Sequence, residues 1–311
     1  MCQEQHSPSP PTVLVTGATG LLGRSLVSTF IGDGGYNTIG AGFKRSGDGT
    51  VRADLRNGAE VDALLVEYKP KIIIHAAAER RPDLIEKCPD DAWRINVECT
   101  SHIVEGARRH GAWLLYISTD YVFDGTQPPY SVQDAPNPLS LYGKTKLEGE
   151  RIVLDAGFAV LRIPLLYGPV EDWGECSVTE IAAALLPNIG KTAWFDNWAI
   201  RYPTHVEDVA LLCAMLSSKY LEAGGVSGIY QASADEAFTK LEMAMIMAQK
   251  LDITDISLLP LPAPINSLRP KDSRLDSSTA HSLGWAAQRR FVEGIAEVLA
   301  GDNTKLRSNC I

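Results

Sequence analysis

The 311-residue chain contains no run of 18 or more apolar residues, which excludes a transmembrane helix. Its first segment, Met1 to Pro11, is polar and rich in serine and proline. It has neither the basic start nor the apolar core of a secretory signal and reads as a disordered lead-in. Cysteine is sparse: Cys2, Cys88, Cys99, Cys176, Cys213 and Cys310 form no CxxC, and no Cys/His cluster has zinc-ligand spacing. No metal site is expected, and the cysteines read as reduced thiols of a cytoplasmic protein. Positive charge is in the minority, with 29 Lys and Arg against 38 Asp and Glu and a formal net charge of −9. That excludes a generic binder of nucleic acid or of an anionic membrane, while leaving room for a local basic pocket. Repeats are absent too. At 45% hydrophobic and 22% charged residues, the composition is that of a folded chain.

Along the chain, short apolar strands alternate with helical stretches. The pattern predicts strands over 12–16, 37–41, 71–75, 113–118 and 159–163, and helices over 20–30, 61–68, 91–110 and 140–154. Continuously apolar strands separated by helices indicate a parallel sheet covered on both faces. Right-handed crossovers make this a doubly wound α/β (Rossmann) sheet. The second half is less regular. Helices are predicted over 175–186, 206–216 and 239–251, the last with Thr239 as N-cap, and a strand over 228–231. The proline-rich 260–270 must be extended or looped. The expected organisation is a lead over 1–11 and a dinucleotide-binding sheet over 12–168, to which 228–254 returns. A smaller, interleaved C-terminal α/β lobe is built from 169–227 and 255–300, and 301–311 is a tail.

Gly17-Ala18-Thr19-Gly20-Leu21-Leu22-Gly23 follows the first strand directly. Gly17 permits a tight turn, Gly20 lets backbone approach a pyrophosphate, and Gly23 lets the helix pack closely on the strand, so that free helix N–H groups face the anion. A ligand-free strand-to-helix turn is the alternative. A dinucleotide without a 2′-phosphate would call for a carboxylate at the end of the second strand. Here Phe43 is followed by Lys44 and Arg45, which can pair with a 2′-phosphate. NADP is therefore favoured over NAD, unless the two cations are merely solvated. Asp54 and Leu55 would flank the adenine. Ala76 and Ala77, with Ala78, are small enough for a cofactor to lie over the strand end.

Tyr142 and Lys146 stand four apart on a predicted helix and so share a face. A nearby ammonium lowers a phenol's pKa, so Lys146 is expected to activate Tyr142 as acid/base and to hold a ribose hydroxyl. Thr119, with Ser118 at the end of the strand 113–118, would polarise a substrate carbonyl. Asn96 would anchor a water or a backbone group behind the site. The implied chemistry is hydride transfer between a nicotinamide and a carbonyl or alcohol carbon.

Together these elements resemble the extended short-chain dehydrogenase/reductase superfamily. Ile117 to Gly125, Tyr142 to Glu150, and Arg269-Pro270 with Ser273 and Leu275 resemble dTDP-4-dehydrorhamnose reductases. The match is closer to the regulatory β subunits of methionine adenosyltransferase, a non-catalytic branch. It is carried by Val13 to Gly23, His75 to Asp83, Leu161 to Gly168 and Arg201 to Val209, and runs from about residue 12 to about 298. The Glu79-Arg80-Arg81-Pro82-Asp83 run is the most discriminating piece. The resemblance implies NADP held by Thr19, Gly20, Leu21, Leu22, Phe43, Lys44, Arg45, Asp54, Leu55, Ala76, Arg80, Tyr142, Lys146 and Leu166. It also implies a partner, the catalytic methionine adenosyltransferase subunit, whose S-adenosylmethionine synthesis is modulated. The segment 301–311 departs from the family's tail. Thr119, Tyr142 and Lys146 remain those of a working reductase, which keeps open an NADPH-dependent enzyme acting on a nucleotide sugar.

Other residues carry weaker signals. Arg80 and Arg81 follow a strand end and suit either a phosphate or acidic-substrate contact or solvent. His75 on an apolar strand reads as an interior histidine. Trp194, Trp198 and Tyr202 read as lobe packing more than as a stacking surface. Phe291, Ile295 and Leu299 form a helical core stripe.

Overall fold

The computed structural model describes residues 9–43, 49–265 and 267–301, apart from the side chains of 82–84. In chain order the strands are β1 (Thr12–Thr16), β2 (Asn37–Gly42), β3 (Thr50–Arg52), β4 (Ile72–His75), β5 (Trp113–Thr119), β6 (Ala159–Ile163), β7 (Leu166–Tyr167), β8 (Thr192–Phe195), β9 (Thr204–His205), β10 (Gly228–Gln231) and β11 (Ser257–Pro260). Seven of them form one parallel sheet in the order β10-β6-β5-β4-β1-β2-β3. The order reverses at β1, with β2 and β3 on one side and β4 onward on the other. Such a reversal opens a crevice at the carboxyl ends of β1 and β4.

Burial explains why these segments are strands. Val13, Leu14 and Val15 of β1 and Ile72, Ile73 and Ile74 of β4 are fully buried. Alternation sends Val13, Val15, Ile72 and Ile74 into one core and Leu14 and Ile73 into the other. The first core is closed by helices Leu21–Asp33 and Val206–Ala223, the second by Gly58–Tyr68 and Cys99–His110. The helices begin where side chains cap them. The Asn57 oxygen accepts from Ala59 N, that of Ser140 from Gly143 N, and Thr239 makes a reciprocal capping box with Glu242.

The single helix expected over 91–110 is in fact three pieces: Pro89–Trp93, a π-helical turn Arg94–Glu98, and Cys99–His110. Asn96 lies in the π-helical turn, its amide engaged with Glu79 and Thr145. A widened turn is a common accommodation at such a site, and hydrophobic periodicity does not register it.

The rest of the chain interleaves with the sheet. Helix Val206–Ala223 lies against helix Leu21–Asp33, with Tyr36 bonded to Ser218 at 2.9 Å and Trp113 stacked on Tyr220 at 5.1 Å. Two small parallel pairs, β8 with β11 and β7 with β9, join helices Thr179–Leu185, Lys240–Lys250 and Phe291–Ala300. The stripe Phe291, Ile295 and Leu299 is buried in the main core. Tyr202 is buried, Trp198 half-buried, and Trp194 is exposed on β8. Among the described residues no helix is long and apolar enough to cross a membrane, and no His/Cys/Asp/Glu group could hold a metal ion. Cys88, Cys99, Cys176 and Cys213 are free thiols; Cys2 and Cys310 lie outside the described residues.

Candidate functional site

At the end of β1 the backbone turns through Gly17 at φ +69°, and a Cβ there would stand 2.8 Å from the Ala77 backbone. A Cβ on Gly23 would stand 2.0 Å from the Gly17 carbonyl oxygen. Only glycine allows this turn to sit so close to the strand end of β4 and to the new helix. The helix N-terminus at Gly20 has no side-chain cap and no acid in its first turn. Its leading amides suit an anion. Leu21 and Leu22 anchor it in the core beneath.

Arg24 ties the turn to the later part of the chain. It donates to the Thr19 carbonyl at 3.0 Å and to the Pro169 carbonyl at 3.2 Å, and meets both Glu175 carboxylate oxygens at 2.8 Å. Arg80 donates to the Glu175 backbone carbonyl. The segment from Pro169 to Glu175 is therefore strapped beside the glycine turn. Arg81 pairs with Glu79 at 3.0 Å.

Phe43 follows β2, with the Arg52 and Arg56 guanidinium carbons 5.5 and 4.7 Å from its ring centroid. Arg56 grips Asp54 by both oxygens, at 2.8 and 2.7 Å, and this holds the Asp54 carboxyl below its usual range. His102 Nδ1 donates to the Leu55 carbonyl at 3.2 Å. Lys44 and Arg45 lie outside the described residues. Leu166 is half-buried at the start of β7.

Beneath the strand ends runs a chain of hydrogen bonds. Thr100 donates to the Asn96 carbonyl at 2.8 Å, so at its 3.2 Å contact with His75 Nε2 it must accept. His75 Nδ1 then accepts from Thr16 at 2.7 Å. Burial, with Lys146 nearby, lowers His75 to about 3. It is the interior histidine expected. Ala76 and Ala77 hang from Thr16 at 3.3 and 3.4 Å. The buried Asn96 accepts from Glu79 N at 2.8 Å and donates to Glu79 O at 2.9 Å and to Thr145 at 3.0 Å. It holds the loop after β4 against the helix Leu141–Asp155, as a backbone anchor behind the site.

Thr119 and Tyr142 come together, and the Thr119 hydroxyl acts on the phenol. Thr119 also donates to Asp120 at 3.1 Å and accepts from Tyr121 N at 3.2 Å. Without a cofactor, the phenol and the ammonium both lie away from their ordinary values. Burial pushes Tyr142 up to about 12, Thr119 opposes this, and Asp120 adds to it. Lys146 donates to the Ile117 carbonyl at 2.7 Å, with Nζ 3.9 Å from the Tyr116 ring centroid. Burial lowers it to about 7, which Glu150 partly opposes.

Several residues here had no role assigned to them from the sequence. Glu150 and Arg162, 1% and 2% exposed, form a bidentate ion pair at 2.7 Å, and Ser118 donates to Glu150 at 2.5 Å. Ser273 donates to the buried Asp120 at 2.5 Å. Arg201 donates to the carbonyls of Ile200 and Pro270 at 2.8 and 3.2 Å and lies 5.6 Å from the Tyr121 ring. Lys240 is lowered by burial and then by the neighbouring Arg269 and Arg201 charges. A charged residue at a strand end or inside an otherwise apolar strand, as Asp120 and Arg162 are, is the signal that was available.

Comparison with known proteins agrees with this fold. The family described as the RmlD substrate binding domain matches residues 11–303. Methionine adenosyltransferase 2 subunit beta of Mus musculus is 43% identical over 291 residues, covering 92% of this chain and 86% of the relative. The chain belongs to the family of methionine adenosyltransferase β subunits. That family sits within the extended short-chain dehydrogenase/reductases, and solved reductases share its fold. A hypothetical dTDP-4-dehydrorhamnose reductase from Sulfolobus tokodaii superposes at a TM-score of 0.78 with 26% identity, covering 91% of this chain and 98% of that one. The Bacillus anthracis dTDP-4-dehydrorhamnose reductase, solved in complex with NADP, does so at 0.78 with 25% identity, covering 93% and 98%.

Proposed function

We propose that this chain is an NADP-binding, non-catalytic cytoplasmic subunit that associates with a catalytic methionine adenosyltransferase and modulates its S-adenosylmethionine synthesis. The observation that carries this reading is the 43% identity spread over nearly the whole chain to a protein named as subunit beta. NADP is supported by the uncapped helix above a glycine cradle, by small residues at the β4 end, by the cations around Phe43 and by the NADP complex of a related reductase. Gly17, Thr19, Gly20, Leu21, Leu22 and Gly23 would hold the pyrophosphate, with Arg80 beside it. Phe43, Lys44, Arg45, Asp54 and Leu55 would hold the adenosine end. Ala76, Ala77, Tyr142, Lys146 and Leu166 would take the nicotinamide half. When bound, the nicotinamide supplies hydride-transfer capacity.

The chain's own groups suit the binding of a cofactor. Tyr142 at about 12 is a neutral hydrogen-bond donor at physiological pH, and Lys146 is occupied by a backbone carbonyl. Asn96 fixes the loop that bears Arg80. The test is to mix the purified chain, with NADP, and the catalytic methionine adenosyltransferase of the same cell. Co-elution and a changed KM for methionine or ATP are expected. Separate elution at micromolar concentration, with unchanged kinetics, overturns the reading.

A reductase acting on a nucleotide sugar is the second reading, and one observation favours it. Arg201, Arg269 and Lys240 gather on the lobe side of Tyr121, where a diphosphate would be welcome. NADPH oxidation with dTDP-4-dehydrorhamnose, abolished by Tyr142→Phe, is its expected signature. Absence of turnover by the wild type removes it for that substrate.

A further inference from the structure

We propose that Glu175 clasps residues 169–175 across the mouth of the dinucleotide cleft, so that a dinucleotide enters and leaves only when the clasp opens. This rests on the dinucleotide reading above and adds a gate to that site. Three observations carry it. First, Glu175 is fastened to both banks of the crevice. Its carboxylate meets Arg24 through both oxygens at 2.8 Å, on the helix that follows β1. Its main-chain carbonyl accepts from Arg80, in the loop that follows β4. β1 and β4 are neighbours in the sheet, and the crevice opens at their carboxyl ends. A residue bonded to both banks spans what lies between them.

Second, the segment is closed on itself. Arg24 also donates to the Pro169 carbonyl at 3.2 Å, and the Glu175 carboxylate accepts from Glu171 N at 3.0 Å. One guanidinium thus holds the first residue of the segment and the last. Asp172 caps the turn Trp173–Glu175, and Trp173 is buried in the main core. With its middle anchored there, the segment opens at its polar rim, where both fastenings converge on Glu175. Third, the Glu175 side chain is only 8% exposed and is held against the helix whose leading amides suit an anion. A carboxylate there repels a diphosphate. An acid kept beside an anion cradle, and covered by Arg24, is explained by a fastening and not by direct binding. A loop held in this way sets the rate of ligand exchange through its own opening.

Stopped-flow mixing of the full chain with NADPH, followed by the fluorescence of the nicotinamide, tests the clasp. Glu175→Gln should raise the association and dissociation rates by about tenfold each and leave Kd within about threefold, the scale of one lost charge-assisted fastening. Arg24→Lys keeps the charge and loses the fork, so it should raise both rates by less. It carries the test if Glu175→Gln does not fold. Rates equal to those of the wild type in both variants overturn the clasp. So does faster release with an unchanged association rate, because Glu175 then supports the bound state without gating entry. A wild type that binds no NADPH overturns the dinucleotide reading itself, and the clasp with it.

Discussion

Tyr142 and Lys146 share one helix, yet burial moves their proton equilibria in opposite directions, the phenol up to about 12 and the ammonium down to about 7. Each is thereby pushed towards its neutral form. The four-residue spacing puts both groups on one helix, with Lys146 donating to a backbone carbonyl and Thr119 acting on the phenol.

The phenol makes this measurable. In the cofactor-free chain, the ultraviolet difference between wild type and Tyr142→Phe should show no tyrosinate signal at pH 10, where an ordinary tyrosine is about half ionised. A Tyr142 component titrating near neutrality would contradict the buried neutral phenol and favour the reductase reading.

His75 gives the fold an acid-sensitive point. Its folded value of about 3 lies below the ordinary 6.5, so the unfolded chain binds more protons between the two. The resulting stability is complete above about pH 6.5 and is lost as pH falls toward 3. Urea midpoints at pH 7, 5 and 4 should fall more steeply for wild type than for His75→Gln. Parallel slopes would show that burial does not hold the ring neutral.

Two glycines of one helix should respond in opposite ways. Gly23→Ala drives a Cβ to 2.0 Å from the Gly17 carbonyl, and a loss of about 2 kcal/mol or more is expected together with dinucleotide binding. Gly32, with nothing within 4 Å of a built Cβ, should gain up to about 1 kcal/mol as alanine. Denaturant unfolding of both variants checks the contrast.

Glu150→Gln should cost about 3–5 kcal/mol, because it strands a buried guanidinium. The guanidinium already has one nitrogen, Nη1, without a partner. Adding Arg162→Met should recover much of that loss. If the single variant unfolds at the wild-type urea midpoint, the pair contributes nothing to stability.

The sheet was legible in the sequence because its signals are local. Apolar runs such as Ile72–Ile74 stand out unaided, and Ser140 and Thr239 cap helices where the pattern puts them. The glycine turn was legible for the same reason, its three glycines lying within seven residues. What was not legible depends on contacts between distant positions. Arg24 finds Glu175 across 151 residues and Asp120 finds Ser273 across 153. In the sequence Arg162 and Glu150 look like solvated charges, until the fold buries them against each other. Asn96 was found as an anchor, but the π-helical turn that goes with it leaves no trace in hydrophobic spacing.

The bond from Ser273 to Asp120 has a consequence for order of synthesis. A growing chain that has delivered Gln231 already holds every strand of the seven-stranded sheet, while Asp120 still waits for its partner. The sheet can form on the ribosome before the strand-end site is finished. The residues that finish the site come with those that finish the core, because Phe291, Ile295 and Leu299 also lie beyond Ser273.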